Sequence, residues 1–193
     1  MLFRSVRDLL GVNTRPADKF PADAGGGGGF DNNAATLYLP PILLEKYLTA
    51  ADDIVRAAAP EKIFIAQPGG FSGKRGAARK IIEHCAMRAF RRPVEKDEVE
   101  RLLGLYDQAA KRGAMHEDAV RLTLKAMLVS PNFLFRVEQD RDAKEPVPVN
   151  DFELASRLSY FLWSSMPDEE LFRLAGSALP CISPNTSRTI SPA

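Results

Sequence analysis

The stretch "RRPVEKDEVERLLGLYDQAAKRG", residues 91–113, decides the fold class, because it contains every signal of one complete amphipathic helix. Pro93 separates it from the preceding segment, and acidic residues fill the first turn, where negative charge stabilises the helix dipole. Apolar residues then recur at helical spacing, at Val99, Leu102, Leu103 and Tyr106. Gly113 follows two basic residues and is the expected C-terminal stop.

The same signals on both sides of this stretch predict further helices. They cover residues 2–10, 39–60, 75–90 and 116–129, a short helix from Ser130, and two more that begin near Asn150 and Asp168. "KIFIA", residues 62–66, fits either one strand or an extended connector, and one strand does not make a sheet. The sequence therefore predicts an all-α protein, a bundle-like array of helices with long Gly/Pro loops and at most one short strand.

The stretch "LASRLSYFLWSSMPDEEL", residues 154–171, is an apolar helix followed by a start signal for another helix. Such a helix buries its apolar side against a partner, yet only 22 residues follow Leu171. We therefore expect a truncated helical module here. We also expect an exposed face around Tyr160, Phe161 and Trp163 that promotes aggregation or dimerisation.

Changes in composition divide the chain into four predicted parts. A proline-bearing polar linker near residues 140–150 marks one boundary. The parts are an N-terminal helical module with a Gly-rich loop, truncated at its start (1–60), a central helical module (61–140), the truncated start of a third (150–179), and a disordered or non-native tail (180–193). Whether Met1 and that tail are genuine stays open.

Charge and hydropathy exclude some function classes. The 26 basic and 25 acidic residues give a net charge of +1, so bulk charge attracts the chain neither to nucleic acid nor to an acidic membrane surface. No apolar run reaches the ~18 residues that a membrane span requires. The start "MLFRSVRDLLGV" is not a signal peptide, and the location of this chain is left unassigned.

Known catalytic and nucleotide-binding motifs are missing from the sequence. "GGFSGKRG", residues 69–76, is too short for a P-loop and has Arg75 where a hydroxyl must hold magnesium. The basic residues between positions 74 and 92 are interpreted as a solvated helix face paired with acids elsewhere. The alternative is a nucleic-acid binder that uses four of them, Arg79, Arg88, Arg91 and Arg92.

The glycine-rich segment 20–33 holds the candidate ligand-binding residues Asp23, Asp31, Asn32 and Asn33. Their side-chain oxygens suit a cation or a polar ligand, but the spacing does not follow a calcium loop, and the same residues serve turns equally well. His84 and His116 are 32 positions apart and predict no shared metal or catalytic role. No catalytic residue and no metal ligand is assigned.

Four stretches occur in a characteristic order: "VRDLLGVNTRPADKF", "AFRRPVEKDEVERLL", "LVSPNFLFRVE" and "RLSYFLWSSMPDEEL". In this combination the chain resembles planctomycete-type multidomain proteins that carry cytochrome c domains beside domains of unknown function. This resemblance implies the end of a first module, a complete second and the start of a third.

The resemblance implies an exported, periplasmic or extracytoplasmic parent, and allows haem c in that parent but none in this chain, which has no C-x-x-C-H segment. The parent would be a redox protein in polysaccharide breakdown, and this fragment would not be catalytic by itself. The alternative is a non-enzymatic binding or scaffold module for a glycan or protein partner. Expected partners are the missing modules of the parent, and a glycan or redox partner, but not nucleic acid.

Overall fold

A computed structural model describes residues 2–20, 41–69, 73–136, 138 and 149–177. Within these ranges it contains nine α-helices, one 3-10 helix over Pro16–Lys19, and no strand, which confirms the all-α prediction. The α-helices are α1 (Leu2–Leu10), α2 (Pro41–Ala57), α3 (Pro60–Ile63), α4 (Gly73–Phe90), α5 (Lys96–Lys111), α6 (His116–Leu128), α7 (Pro131–Leu134), α8 (Asp151–Trp163) and α9 (Glu169–Gly176).

The helix predicted from the opening stretch is α5, which packs as a hairpin on α6 and against α4. Glu95 and Glu98 form a capping box at its start, so the acidic first turn satisfies backbone N–H groups as well as the dipole. Gly113 adopts φ 88°, a left-handed conformation that costs glycine little, and its N–H donates to the Ala110 carbonyl at 3.0 Å. Leu103 faces inward and is fully buried.

Helix α4 is the centre of the molecule. It contacts α1, α5, α6 and α7. Its buried side chains are small or apolar and recur in pairs every four residues: Ala77, Ala78, Ile81, Ile82, Cys85, Ala86, Ala89 and Phe90. Small alanines let neighbouring helices approach closely on several sides. The positions between these pairs, Lys80, Glu83 and Met87 among them, are exposed.

The segment "KIFIA" is not a strand. Pro60 begins the short helix α3, and the Phe64 N–H donates to the Pro60 carbonyl at 2.7 Å. Ile63 ends the helix and has no exposed surface. Proline at the first helical position has the φ angle that a helix needs, so the apolar residues that follow close a helical turn.

The C-terminal helices begin where the sequence predicts, because side chains cap them. Asn150 Oδ1 accepts from the Glu153 N–H at 2.8 Å, and the Glu153 carboxylate accepts from the Asn150 N–H at 2.8 Å, a complete capping box for α8. Asp168 accepts from the Leu171 N–H at 2.8 Å and caps α9. Ser130 does the same for α7.

The end of α8 lies against α1. The Ser5 and Tyr160 hydroxyls are 2.8 Å apart, the Ser165 hydroxyl donates to the Asp8 carboxylate at 2.5 Å, and Arg4 donates to the Trp163 carbonyl at 2.9 Å. Tyr160 is therefore buried, and the expectation that it belongs to an exposed face is wrong. Its polar partner lies 155 positions away in the sequence, beyond the reach of local periodicity.

Of the helices that the structure describes, none combines the length and apolar character needed to cross a membrane.

Candidate functional site

The ligand-binding residues predicted from sequence lie outside the described residues. Asp23, Asp31, Asn32 and Asn33 all fall between positions 21 and 40. A cation or polar ligand at this loop stays a prediction. Among the residues that the structure describes, no group of three or more His, Cys, Asp or Glu side chains is placed to hold a metal ion.

A cleft of about 350 Å³ lies where the end of α4, the residues after α7 and the start of α8 meet. Phe90 and Phe152 form apolar parts of its wall. The rest is mostly charged, and the arginines are Arg91, Arg92, Arg136 and Arg157. The glutamates are Glu95, Glu138 and Glu153. We refer to this cavity as the arginine cleft.

Arg91 is the buried cation of the arginine cleft, with 5% of its surface exposed. It follows α4 directly, in a left-handed conformation with φ 60°, and this conformation turns the chain. Its guanidinium donates to the backbone carbonyls of Asn132 at 2.7 Å, Phe133 at 3.3 Å and Phe135 at 2.6 Å. These carbonyls lie at the C-terminal end of α7, where the helix dipole favours a cation.

No carboxylate pairs with Arg91 among the described residues. Burial lowers the pKa of Arg91, and the nearby charges of Arg136 and Arg92 lower this pKa further, against the opposite effect of Tyr160. A guanidinium remains charged at every physiological pH, so Arg91 is a buried positive charge that no carboxylate of the described residues pairs with.

Two of the other arginines in the cleft form ion pairs. Arg92 makes a two-pronged pair with Glu98, with both N–O distances 2.8 Å, and this hydrogen bonding lowers the pKa of Glu98. Arg157 pairs in the same way with Glu138, at 2.8 and 2.5 Å. The Arg157–Glu138 pair connects α8 to the residues that follow α7.

Arg136 has no carboxylate within ion-pair distance in the described part of the chain. Its guanidinium carbon lies 5.3 Å from the centre of the Tyr160 ring, and that of Arg91 lies 5.9 Å from the same ring. Cation–π contacts hold both arginines near the same aromatic ring. Among the described residues, Arg91 and Arg136 are thus the two arginines of the cleft that no carboxylate pairs with.

A second cavity, of about 590 Å³, lies beside the N-terminal ends of α4 and α6. His116 lines it, and Nδ1 of His116 is 2.9 Å from the Tyr106 hydroxyl, while its buried Nε2 has no hydrogen-bond partner. Burial, and then the charge of Lys74, lower the pKa of His116. The imidazole is therefore neutral at pH 7, and none of the described residues that line this cavity is a serine, threonine or cysteine.

Helix α8 presents an exposed apolar stripe. It consists of Leu154, Leu158, Phe161 and Leu162, with 42%, 43%, 86% and 59% of their surfaces exposed. Trp163 is half-buried, and its indole N–H donates to the Met166 carbonyl at 3.2 Å. The exposed face expected from the sequence therefore exists at Phe161, but its other members are the three leucines. The intervals of four and then three residues between Leu154, Leu158 and Phe161 were the feature of the sequence that could have identified this face.

The basic face between positions 74 and 92 is largely paired, which confirms its interpretation as a solvated helix face. Arg75 pairs with Asp107 at 3.1 Å, and Arg79 pairs with Glu100 and Glu83. Arg88 donates to the Asp8 carbonyl at 3.1 Å. Arg91 is the exception, because it is buried in the arginine cleft.

Covalent haem does not fit the residues of this chain. The sequence has two cysteines and lacks the C-x-x-C-H segment that attaches haem c. Cys85 has 2% of its surface exposed, and burial raises the pKa of its thiol to about 11, which makes it an inert core residue.

Three family matches cover most of the chain. Residues 3–60 match PSD3, a protein of unknown function (DUF1587), residues 77–138 match PSD5, a protein of unknown function (DUF1595), and residues 149–179 match PSD4, a protein of unknown function (DUF1592). The chain therefore contains three adjacent modules of unknown function. Comparisons with curated proteins and with solved structures give no significant match.

Proposed function

We propose that this chain is a non-catalytic scaffold segment of a larger multidomain protein, and that the apolar stripe of α8 receives a helix from another module of that protein. One observation carries the proposal: four large apolar side chains, at positions 154, 158, 161 and 162, are exposed together on one helix. Single exposed leucines are ordinary on protein surfaces, whereas a contiguous group marks an interaction surface.

The geometry of the stripe favours a helix as its occupant. Intervals of four and three residues place Leu154, Leu158 and Phe161 along one seam, the spacing by which helices pack side by side. From their exposed fractions, the four side chains offer on the order of 400 Å² of apolar surface. A stripe of this size is sufficient for the core of a helix–helix contact.

The arrangement of modules supports an occupant within the same protein. The third family match begins at residue 149, so the stripe belongs to the third module, while the inner side of α8 is occupied by contacts with α1. Because consecutive modules belong to one chain, each is held near the other at a high effective concentration, which favours contacts between their helices. The stripe is the face of α8 that remains for such a contact.

A finer proposal rests on the resemblance alone. The parent protein is exported, is linked to cytochrome c domains and takes part in the redox chemistry of polysaccharide breakdown. No described residue adds support to this, and the alternative, a scaffold that binds a glycan or protein without redox chemistry, fits the same residues. The absorbance spectrum of the full-length parent distinguishes the redox role from the scaffold role. A c-type Soret band supports the redox role, and a spectrum without one contradicts it.

The docking proposal is tested by thiol accessibility. Phe161→Cys and the matched control Leu122→Cys, an exposed leucine of α6 outside the stripe, are each made in a Cys181→Ser background. In this chain alone we expect both new thiols to react readily with a maleimide. In the multidomain parent we expect position 161 to be protected and position 122 to stay reactive. Equal labelling of both positions in the parent would overturn the proposal.

A further inference from the structure

Helix α1 contacts parts of the chain that belong to all three family matches. It lies in the first match, residues 3–60, and packs against α2 of the same match. It also packs against α4, most of which lies in the second match, residues 77–138. Hydrogen bonds join it to the end of α8 and to the turn before α9, which lie in the third match, residues 149–179. Helix α1 is therefore placed to connect the three modules.

The apolar side of α1 is part of the common core. Val6, Leu9 and Leu10 are buried and belong to the same hydrophobic cluster as Ile81 and Cys85 of α4. Isolated helices shorter than ~12 residues are marginal in water, so packing against its neighbours supplies most of the stability of this nine-residue helix. The position of α1 therefore depends on the helices of the first and second modules.

The polar side of α1 holds the end of α8 and the turn before α9. Arg4 donates to the Trp163 carbonyl at 2.9 Å. The Ser165 hydroxyl donates to the Asp8 carboxylate at 2.5 Å, and the backbone carbonyl of Asp8 accepts from Arg88 of α4 at 3.1 Å. Asp8 therefore binds residues of the second and the third module at once.

The turn between α8 and α9 is buried beside α1. Ser165 and Met166 are 1% and 3% exposed, and Pro167 is fully buried. Met166 belongs to the same hydrophobic cluster as Val6 of α1. Helix α8 itself packs chiefly against α9, so the two helices are fastened to the other described helices chiefly through this turn and the side chain of Tyr160.

We propose that α1 is a strap that fastens α8 and α9 to the second module, so that these three helices open together while α5 and α6 stay closed. Opening of α1 breaks its hydrogen bonds to Ser165 and Tyr160 and withdraws Val6 from the cluster that contains Met166. Segments far apart in sequence then open as one cooperative unit. Through the strap, the first module fixes where the third presents its apolar stripe, whatever occupies that stripe.

Hydrogen exchange of the full chain at neutral pH, followed by mass spectrometry, tests the strap. Ser165→Ala removes the donor to Asp8 from the turn. Ser177→Ala is the matched control, because the Ser177 hydroxyl donates at 2.8 Å to the Leu174 carbonyl of α9. We expect Ser165→Ala to speed exchange about 10-fold in α1, α8 and α9 alike and to leave α5 and α6 within about 2-fold. The control should leave exchange in α1 unchanged.

A change in α1 gives the reciprocal test. Val6→Ala removes apolar contacts of α1 and leaves the third module unaltered in sequence. We expect exchange to rise at least about 10-fold in α1, and by the same factor in α8 and α9. Faster exchange confined to the altered helix in either variant, or an equal rise in every helix including α5 and α6, would show that α1 is not a strap.

Discussion

At the scale of single residues, Arg91 joins three parts of the chain. Its left-handed backbone turns the chain after α4, its guanidinium closes the end of α7, and its charge lies beside Tyr160 of α8. Sequence reasoning assigned Arg91 to a solvated face because its neighbours in sequence are basic. The carbonyls that bind it come from residues more than 40 positions later, which a local pattern does not reveal.

Replacing Arg91 should destabilise the protein more than replacing any exposed arginine. Arg91→Gln leaves up to three carbonyls without a donor, so we expect the free energy of unfolding to fall by about 3 kcal/mol. Urea denaturation followed by circular dichroism measures this. The matched change Arg112→Gln should cost less than about 0.5 kcal/mol. A similar small cost at both sites would show that Arg91 does not join the helices.

Glu98 should make stability depend on pH. Hydrogen bonding to Arg92 lowers the pKa of Glu98 in the folded protein, so the folded state binds this proton less readily than the unfolded state. The contribution of the ionised Glu98 to the free energy of unfolding is therefore complete above the ordinary glutamate pKa of about 4.3. It is lost as the pH falls through the lower pKa of the folded state. Glu98→Gln should flatten the decline in unfolding temperature below pH 4.5. An unchanged acid profile would contradict this assignment.

At the scale of elements, helix ends were predictable and the surroundings of helices were not. The capping side chains of Asn150, Asp168 and Ser130 each accept a hydrogen bond from a backbone N–H no more than three residues later, so the local sequence contains the whole signal. Helix α4 is central because several helices surround it, and the spacing of its own apolar residues does not indicate how many helices contact it. "KIFIA" was ambiguous because its apolar residues suit a strand, while Pro60 favours a helical turn.

The capping box of α8 allows a clean test at this scale. Asn150→Ala removes the side-chain acceptor of the Glu153 N–H, and we expect a loss of about 1 kcal/mol in the free energy of unfolding. Asn150→Asp keeps an acceptor and should lie within a few tenths of a kcal/mol of the unaltered chain. Equal losses in the two variants, measured by thermal unfolding, would show that the cap is not responsible.

At the scale of the whole molecule, the first and third modules are joined through polar contacts at the end of α8. Ser5 and Tyr160 are both buried and satisfy each other's hydroxyl groups. The amphipathic pattern of α8 predicted an exposed aromatic face, but one aromatic of that face, Tyr160, turned out to lie against α1. Local pattern identifies apolar positions, and contacts between distant segments decide which of them are covered.

A double-mutant cycle measures that contact. Ser5→Ala or Tyr160→Phe alone leaves one buried hydroxyl without its partner, and each should cost about 1–2 kcal/mol. The double variant removes both groups and should cost clearly less than the sum of the two single changes. Additive costs would show that the two hydroxyls do not interact.

The central claim is that the α8 stripe is an unoccupied docking surface, and sedimentation velocity tests it most directly. Without its occupant, the stripe should pair with a second copy, so the chain should sediment as a growing fraction of dimer up to about 100 µM. Phe161→Glu should keep the chain monomeric, and Leu122→Glu should not. A wild-type chain that stays monomeric over this range, or equal dimerisation of both variants, would contradict the account.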